Sequence, residues 1–154
     1  MIMVDVSGKP EVLREATATG TIRLKPETLR LIKEEHVAKG DPVSAAKLAG
    51  VLAAKKTDIL IPLCHPLPIT NVEIQVEILN STVQVTSTVK TNARTGVEME
   101  ALVATAMSLL TIWDMVKQYE KDAEGQYPFT SIKDIHVVKK IKEGISGERK
   151  HEET

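Results

Sequence analysis

Asp114 and Lys117 are three residues apart. On a helix that spacing puts an acid and a base on one face, ~5 Å apart along the axis. A carboxylate beside an ammonium has a protonation state set by its neighbour, which suits general acid/base work. Two further carboxylates, Glu98 and Glu100, open the same run of residues. Glu100 would lie ~21 Å from Asp114 along the axis, and Glu98 points nearly opposite to Asp114 at ~100° per residue. One small substrate held by a single chain cannot span both ends. If both ends act, a second chain or a long substrate must bridge them.

Other candidates lie in loops. His65 sits in Pro62-Leu63-Cys64-His65-Pro66-Leu67-Pro68, where three prolines in seven residues make a stiff segment. A fixed imidazole suits proton transfer, and a purely structural histidine is the other reading. Cys64 is the one cysteine; no second cysteine or nearby histidine completes a zinc set, so no metal is expected. Lys39, in Lys39-Gly40-Asp41-Pro42, stands beside a helix start, a natural anion site. An exposed turn lysine is the alternative.

The long stretch that carries the acids runs over residues 96–121, with no Gly or Pro after Gly96. Strong helix formers predict one helix, with Glu98 and Glu100 at its positive end and Lys117 and Lys121 near its negative end. Between Ala101 and Val116 only Thr105, Ser108, Thr111 and Asp114 carry polar side chains. A helix apolar nearly all round is buried on most sides. One sheet of so short a chain cannot cover it, which predicts a partner subunit. Asp114 is then expected to be a desolvated acid paired with Lys117.

Around this helix the pattern gives a strand over 14–24, a helix from Pro26 to about His36, and a second helix from Val43 to about Lys55. Gly40 suits the C-terminal cap of the first, and Asp41 with Pro42 the start of the second. Ala45, Ala46, Ala49, Gly50, Ala53 and Ala54 give the second helix a small-residue face. A hairpin follows over 69–79 and 82–89, and a last strand over 132–141. Strict alternation there sets Ile135, Val137 and Ile141 on one face and His136, Val138 and Lys140 on the other. Residues 1–9 read as an extended arm or a frayed terminus. A single domain spans 1–144, with a polar tail over 145–154 expected to be disordered. The order is that of the ferredoxin-like (βαββαβ) α+β plan: an antiparallel sheet with helices on one face and an extra helix in the first crossover.

Composition limits the function classes. Net charge is −1 and aromatics make up 3% of 154 residues. The strands of the hairpin hold no aromatic for base stacking, which argues against nucleic-acid binding. No phosphate-binding Gly-rich loop and no carboxylate-rich metal cluster marks a metal-dependent phosphohydrolase. Apolar runs read as too short and interrupted for a membrane span, and no leader pattern opens the chain, so a cytoplasmic location is expected.

Leu63-Cys64-His65-Pro66-Leu67, Gly96-Val97-Glu98-Met99-Glu100-Ala101-Leu102 and Trp113-Asp114-Met115-Val116-Lys117 occur with Met3-Val4-Asp5-Val6-Ser7 and Lys39-Gly40-Asp41. In this order and spacing the chain resembles the cyclic pyranopterin monophosphate synthase family of molybdenum cofactor biosynthesis, from Met3 to about Lys140. The resemblance implies a lyase that converts 3′,8-cyclo-7,8-dihydro-GTP to cyclic pyranopterin monophosphate and releases pyrophosphate, with no cofactor. It implies a homo-oligomer, a hexamer built as a trimer of dimers, with active sites between subunits. Asp114 matches the catalytic aspartate, with Lys117 beside it. Leu63, Cys64, His65, Met99 and Glu100 match substrate-binding positions, Lys39 and Lys55 match cations for the triphosphate, and Glu98 an acidic position. The catalytic lysine of the last strand falls on Lys140, with Lys142 on the same face as its rival. The chain departs from the family pattern after that strand. A non-catalytic assembly or regulatory subunit of the same fold is the alternative.

Overall fold

The structure, a computed structural model, describes residues 1–143 and the backbone of 149–152. Its elements are β1 (Val12–Arg23), α1 (Pro26–Lys33), α2 (Pro42–Lys55), α3 (Thr57–Leu60), β2 (Ile69–Ile78), β3 (Thr82–Ala93), α4 (Glu98–Glu120), β4 (Ser131–Glu143) and β5 (Arg149–Glu152). The sheet order is β2-β3-β1-β4-β5, and every pairing is antiparallel. The first four strands have the ferredoxin-like arrangement, with β3 between β1 and β2 and with β1 between β3 and β4. β5 falls within the stretch expected to be a disordered tail; 144–148 and 153–154 lie outside the described residues.

The helices cover one face of the sheet. Val12, Ala16, Ala18 and Ile22 of β1 alternate as buried residues, and the core joins them to Val83, Val85 and Val89 of β3 and to Ala101, Ala104, Leu109, Ile112 and Val116 of α4. By length and composition α4 could cross a membrane, contrary to the expectation that no run would be long enough. Its placement is that of a core helix, packed on β1, β3 and β4 and flanked by α2. The small-residue face of α2 lets it approach closely: a Cβ on Gly50 would stand 2.9 Å from Ile74 Cδ1, and Ser108 Oγ of α4 donates to Ala46 O at 2.8 Å. Part of the apolar surface of α4 is thus covered within the chain, by α2.

Three boundaries differ from the sequence pattern. α1 stops at Lys33, where Glu35 takes a left-handed φ of 58°. His36 N donates to Leu31 O at 2.9 Å and Glu35 N to Ile32 O at 3.2 Å, the paired bonds of a Schellman ending. Gly40, expected to cap this helix, lies in the next turn with φ 122°. Asp41 does cap α2, accepting from Val43 N at 3.0 Å. The one-turn helix α3 appears inside the stretch read as irregular, and β3 continues to Ala93 because β1 supplies partners down to Val12.

β4 carries the main correction. Opposed residues of an antiparallel pair share a face. Ala18 faces Val137 and Thr17 faces Lys139, so Val138 is an extra residue, a β-bulge. Ala16, buried under the helices, faces Lys140. Val137 and Lys140 therefore share the helix side, and Ile141, opposite Glu15, turns to the other side. Strict alternation would have sent Lys140 away from α4.

Glu120 at the end of α4 is fully buried, a feature the sequence pattern did not flag. Its carboxylate accepts from Lys25 N at 3.2 Å, from Thr130 Oγ1 at 2.7 Å and from Thr28 Oγ1. It thus joins the start of α1, the end of α4 and the approach to β4. Glu120→Ala strands three donors and opens a void. We expect a loss on the order of 3–5 kcal/mol of stability, read as a lower urea midpoint.

Candidate active site

Two charged groups lie at opposite ends of α4. At its start, Glu98 Oε1 meets Lys140 Nζ at 2.6 Å, the contact that the β4 bulge makes possible. Lys142 lines the adjacent hollow with Arg14 and Glu15 and is exposed. Beside this pair opens a cleft of about 430 Å³, lined by Val4, Val6, Leu63, Cys64, His65 and Met99 among others. The proline-bounded loop thus delivers three of the expected residues to one wall, and the first turn of α4 delivers Glu98 and Met99.

Glu100 lies under this cleft, 3% exposed. Cys64 Sγ reaches its Oε2 at 3.9 Å, while Oε1 has no protein partner. Burial, reinforced by the charges of Glu98 and Asp58, raises its pKa to about 7. Glu100 can therefore carry or release a proton near neutrality, the property general acid/base catalysis needs. Cys64 is pushed up to about 11, by burial first and then by Glu100, so it stays a thiol. A thiol is a poor nucleophile and a poor metal ligand. Among the described residues no group of three His, Cys, Asp or Glu is placed to hold a metal ion.

His65 Nε2 lies 2.7 Å from Val4 O. A carbonyl only accepts, so Nε2 carries the hydrogen and Nδ1 is the nitrogen left to face a ligand. This bond orients the imidazole and ties the N-terminal arm to it.

Toward the other end, Asp114 Oδ1 meets Lys117 Nζ at 3.0 Å and Oδ2 meets Lys39 Nζ at 3.4 Å. Lys39 Nζ also donates to Asp114 O at 2.9 Å. The expectation of a desolvated aspartate is corrected here: within the protomer the Asp114 side chain is 62% exposed. The hydrogen bonds from Lys117 and then Lys39 hold its pKa below the usual carboxylate value, and Asp114 in turn raises that of Lys117. The reason is geometric. Ile112 and Val116 turn into the core, whereas Asp114 lies along an open groove shared with Leu110, Trp113, Lys117 and Ile132.

Residues that sequence patterns did not single out position this second cluster. Tyr119 OH accepts from Ala38 N at 2.9 Å and so pins the loop that carries Lys39. Lys55, the last residue of α2, is exposed and lines neither cleft. Arg94 has no distinguishing pattern in the sequence, being a lone arginine beside a strand end.

The MoaC family model matches residues 3–143. A probable cyclic pyranopterin monophosphate synthase of Sulfolobus acidocaldarius is 57% identical over 140 residues, covering 91% of this chain and 98% of the relative. The protein of the same description from Saccharolobus solfataricus is 58% identical, over 92% of this chain and 95% of its own length. That from Thermococcus onnurineus is 55% identical, over 92% and 90%. The match covers both charged clusters and the strands that carry them, and the chain belongs to the MoaC family.

Proposed function

We propose that this chain is a cyclic pyranopterin monophosphate synthase of molybdenum cofactor biosynthesis. It is a lyase that turns 3′,8-cyclo-7,8-dihydro-GTP into cyclic pyranopterin monophosphate and releases pyrophosphate. Membership of the MoaC family, whose relatives bear that name, supports the reaction. The observation that carries the site assignment is the pair of charged clusters at the two ends of one helix.

The chemistry asks for two capabilities. Closing the cyclic phosphate requires a hydroxyl oxygen to attack phosphorus while pyrophosphate leaves, so a base must take the proton and cations must offset the charge on the leaving group. Rearranging the purine-derived rings requires protons to be delivered and withdrawn near neutral pH. Asp114, with Lys117 and Lys39 against it, supplies a carboxylate between two ammonium groups. Lys39 and Lys55 are the cations for the triphosphate, and Lys140 is the last-strand catalytic lysine, set by Glu98. Leu63, Cys64, His65, Met99 and Glu100 bind the ring system, with Glu100 titrating at about 7.

The complete site forms between subunits. The two clusters are separated by most of α4, ~24 Å from Glu98 to Asp114 at 1.5 Å per residue. Leu48, Leu52, Ile59, Leu60 and Leu110 on the helix layer are 48–74% exposed, an apolar surface suited to a second copy. A groove of about 380 Å³ runs between Leu52, Ile59, Leu60 and Met107 of that layer. The assembly is a hexamer, a trimer of dimers, working in the cytoplasm. A partner covering the flank of α4 would also desolvate Asp114 and move its pKa back toward neutrality.

The test is pyrophosphate release by the purified protein, given enzymatically made 3′,8-cyclo-7,8-dihydro-GTP without oxygen. Release by the wild type, with a loss of about 10²–10⁴-fold in Asp114→Asn, supports the reaction and the role of Asp114. No release from a folded, assembled wild type would favour the non-catalytic reading.

A further inference from the structure

We propose that residues 4–9 are a wall of the substrate cleft and that Arg94 is the positioning residue that holds this wall in place. The cleft is taken as the substrate site proposed above. Residues 1–11 form neither helix nor strand. A bond from Lys9 N to Val6 O at 3.0 Å and one from Ser7 N to Asp5 Oδ1 at 2.9 Å give the arm a local turn but do not attach it to the body. Met1, Ile2 and Val4 are 66–111% exposed, so apolar burial contributes little to docking.

Two side chains reach the arm instead. Arg94 Nη1 donates to Ser7 O at 2.5 Å, and His65 Nε2 to Val4 O at 2.7 Å. Val4, one of these anchor points, and Val6 line the cleft together with Leu63 and Met99, and Lys9 belongs to the same lining. Arg94 comes directly after β3, one residue before Thr95 and Gly96, which also line the cleft. It therefore ties the arm to the turn that leads into Glu98. Undocking would remove two aliphatic contacts and one cation from the lining, and would release His65 Nε2.

Arg94 acts through the arm without touching the ligand, and this separates it from a binding residue. Arg94→Ala should speed hydrogen exchange at the amides of residues 4–9 by about tenfold, the equivalent of one charge-assisted hydrogen bond. KM for the cyclised nucleotide should rise by about the same factor while kcat changes little. Arg94→Lys keeps a cationic donor and should restore most of both. Deleting residues 2–7 should raise KM at least as far, and adding Arg94→Ala to that deletion should do nothing more. A further loss in the deleted background, or faster exchange with an unchanged KM, would overturn the proposal. If the wild type released no pyrophosphate, the assigned reaction would fall, while the hold of Arg94 on the arm would still be judged by exchange alone.

Discussion

Co-assembling inactive Asp114→Asn subunits with inactive Lys140→Ala subunits should restore turnover, to about a quarter of the wild-type rate for random pairing across a two-fold interface. Half of the random pairs are mixed, and each mixed pair has one site built from two intact halves. The expectation follows from the distance between the clusters. Lys140 is fixed beside Glu98 at the start of α4, and Asp114 lies beyond its middle with Lys117 and Lys39. A subunit carrying both substitutions should behave in the opposite way: paired with wild type, it spoils both sites. If mixed assemblies of the two single variants stay inactive, Asp114 and Lys140 serve one site in one chain, and the interfacial reading fails.

Glu100→Gln should remove a step near pH 7 from both the rate profile and the stability profile. The folded carboxyl holds its proton to about 7, against an ordinary value of 4.5. Between those values the folded state binds more protons than the unfolded chain, so stability falls as pH rises. The cost reaches at most about 3 kcal/mol above pH 7 and vanishes below the unfolded pKa. Glutamine keeps the shape but cannot ionise. Urea midpoints at pH 5 and pH 8 should therefore differ less in Glu100→Gln than in the wild type. Catalysis should lose its dependence on a group of pKa near 7, with a fall of about 100-fold or more if Glu100 moves a proton. An unchanged pH slope in the variant would mean that Glu100 is already ionised or neutral throughout this range.

What could be read in the residues follows from local rules. Period-two alternation along β1, β2 and β3, the Asp41-Pro42 start of α2 and the uninterrupted run of α4 express backbone preferences and one-sided burial, and they led to the ferredoxin-like plan. The stiffness around His65 is likewise a property of neighbouring prolines. The i,i+3 pairing of Asp114 with Lys117 follows from helix geometry alone.

Other features depended on groups far apart in the chain. The bulge at Val138 that turns Lys140 toward Glu98 arises from the register between β1 and β4, which no local pattern encodes. The end of α1 at Glu35 depends on a left-handed residue that is not glycine. Asp114 looked desolvated because its neighbours in sequence are apolar, yet burial depends on what packs against a given flank, and the Asp114 side chain stays 62% exposed within the protomer. Glu100 looked like a helix-end charge, and its pKa rises to about 7 because it is buried against the loop of Cys64 with the charges of Glu98 and Asp58 nearby. The sequence alone determined the main elements, β1 to β4 with α1, α2 and α4, and the residue types they carry, whereas α3 and β5 went unread. The tertiary structure decided which carboxylate loses its water, because desolvation and charge pairing act through space between segments that the chain order keeps apart.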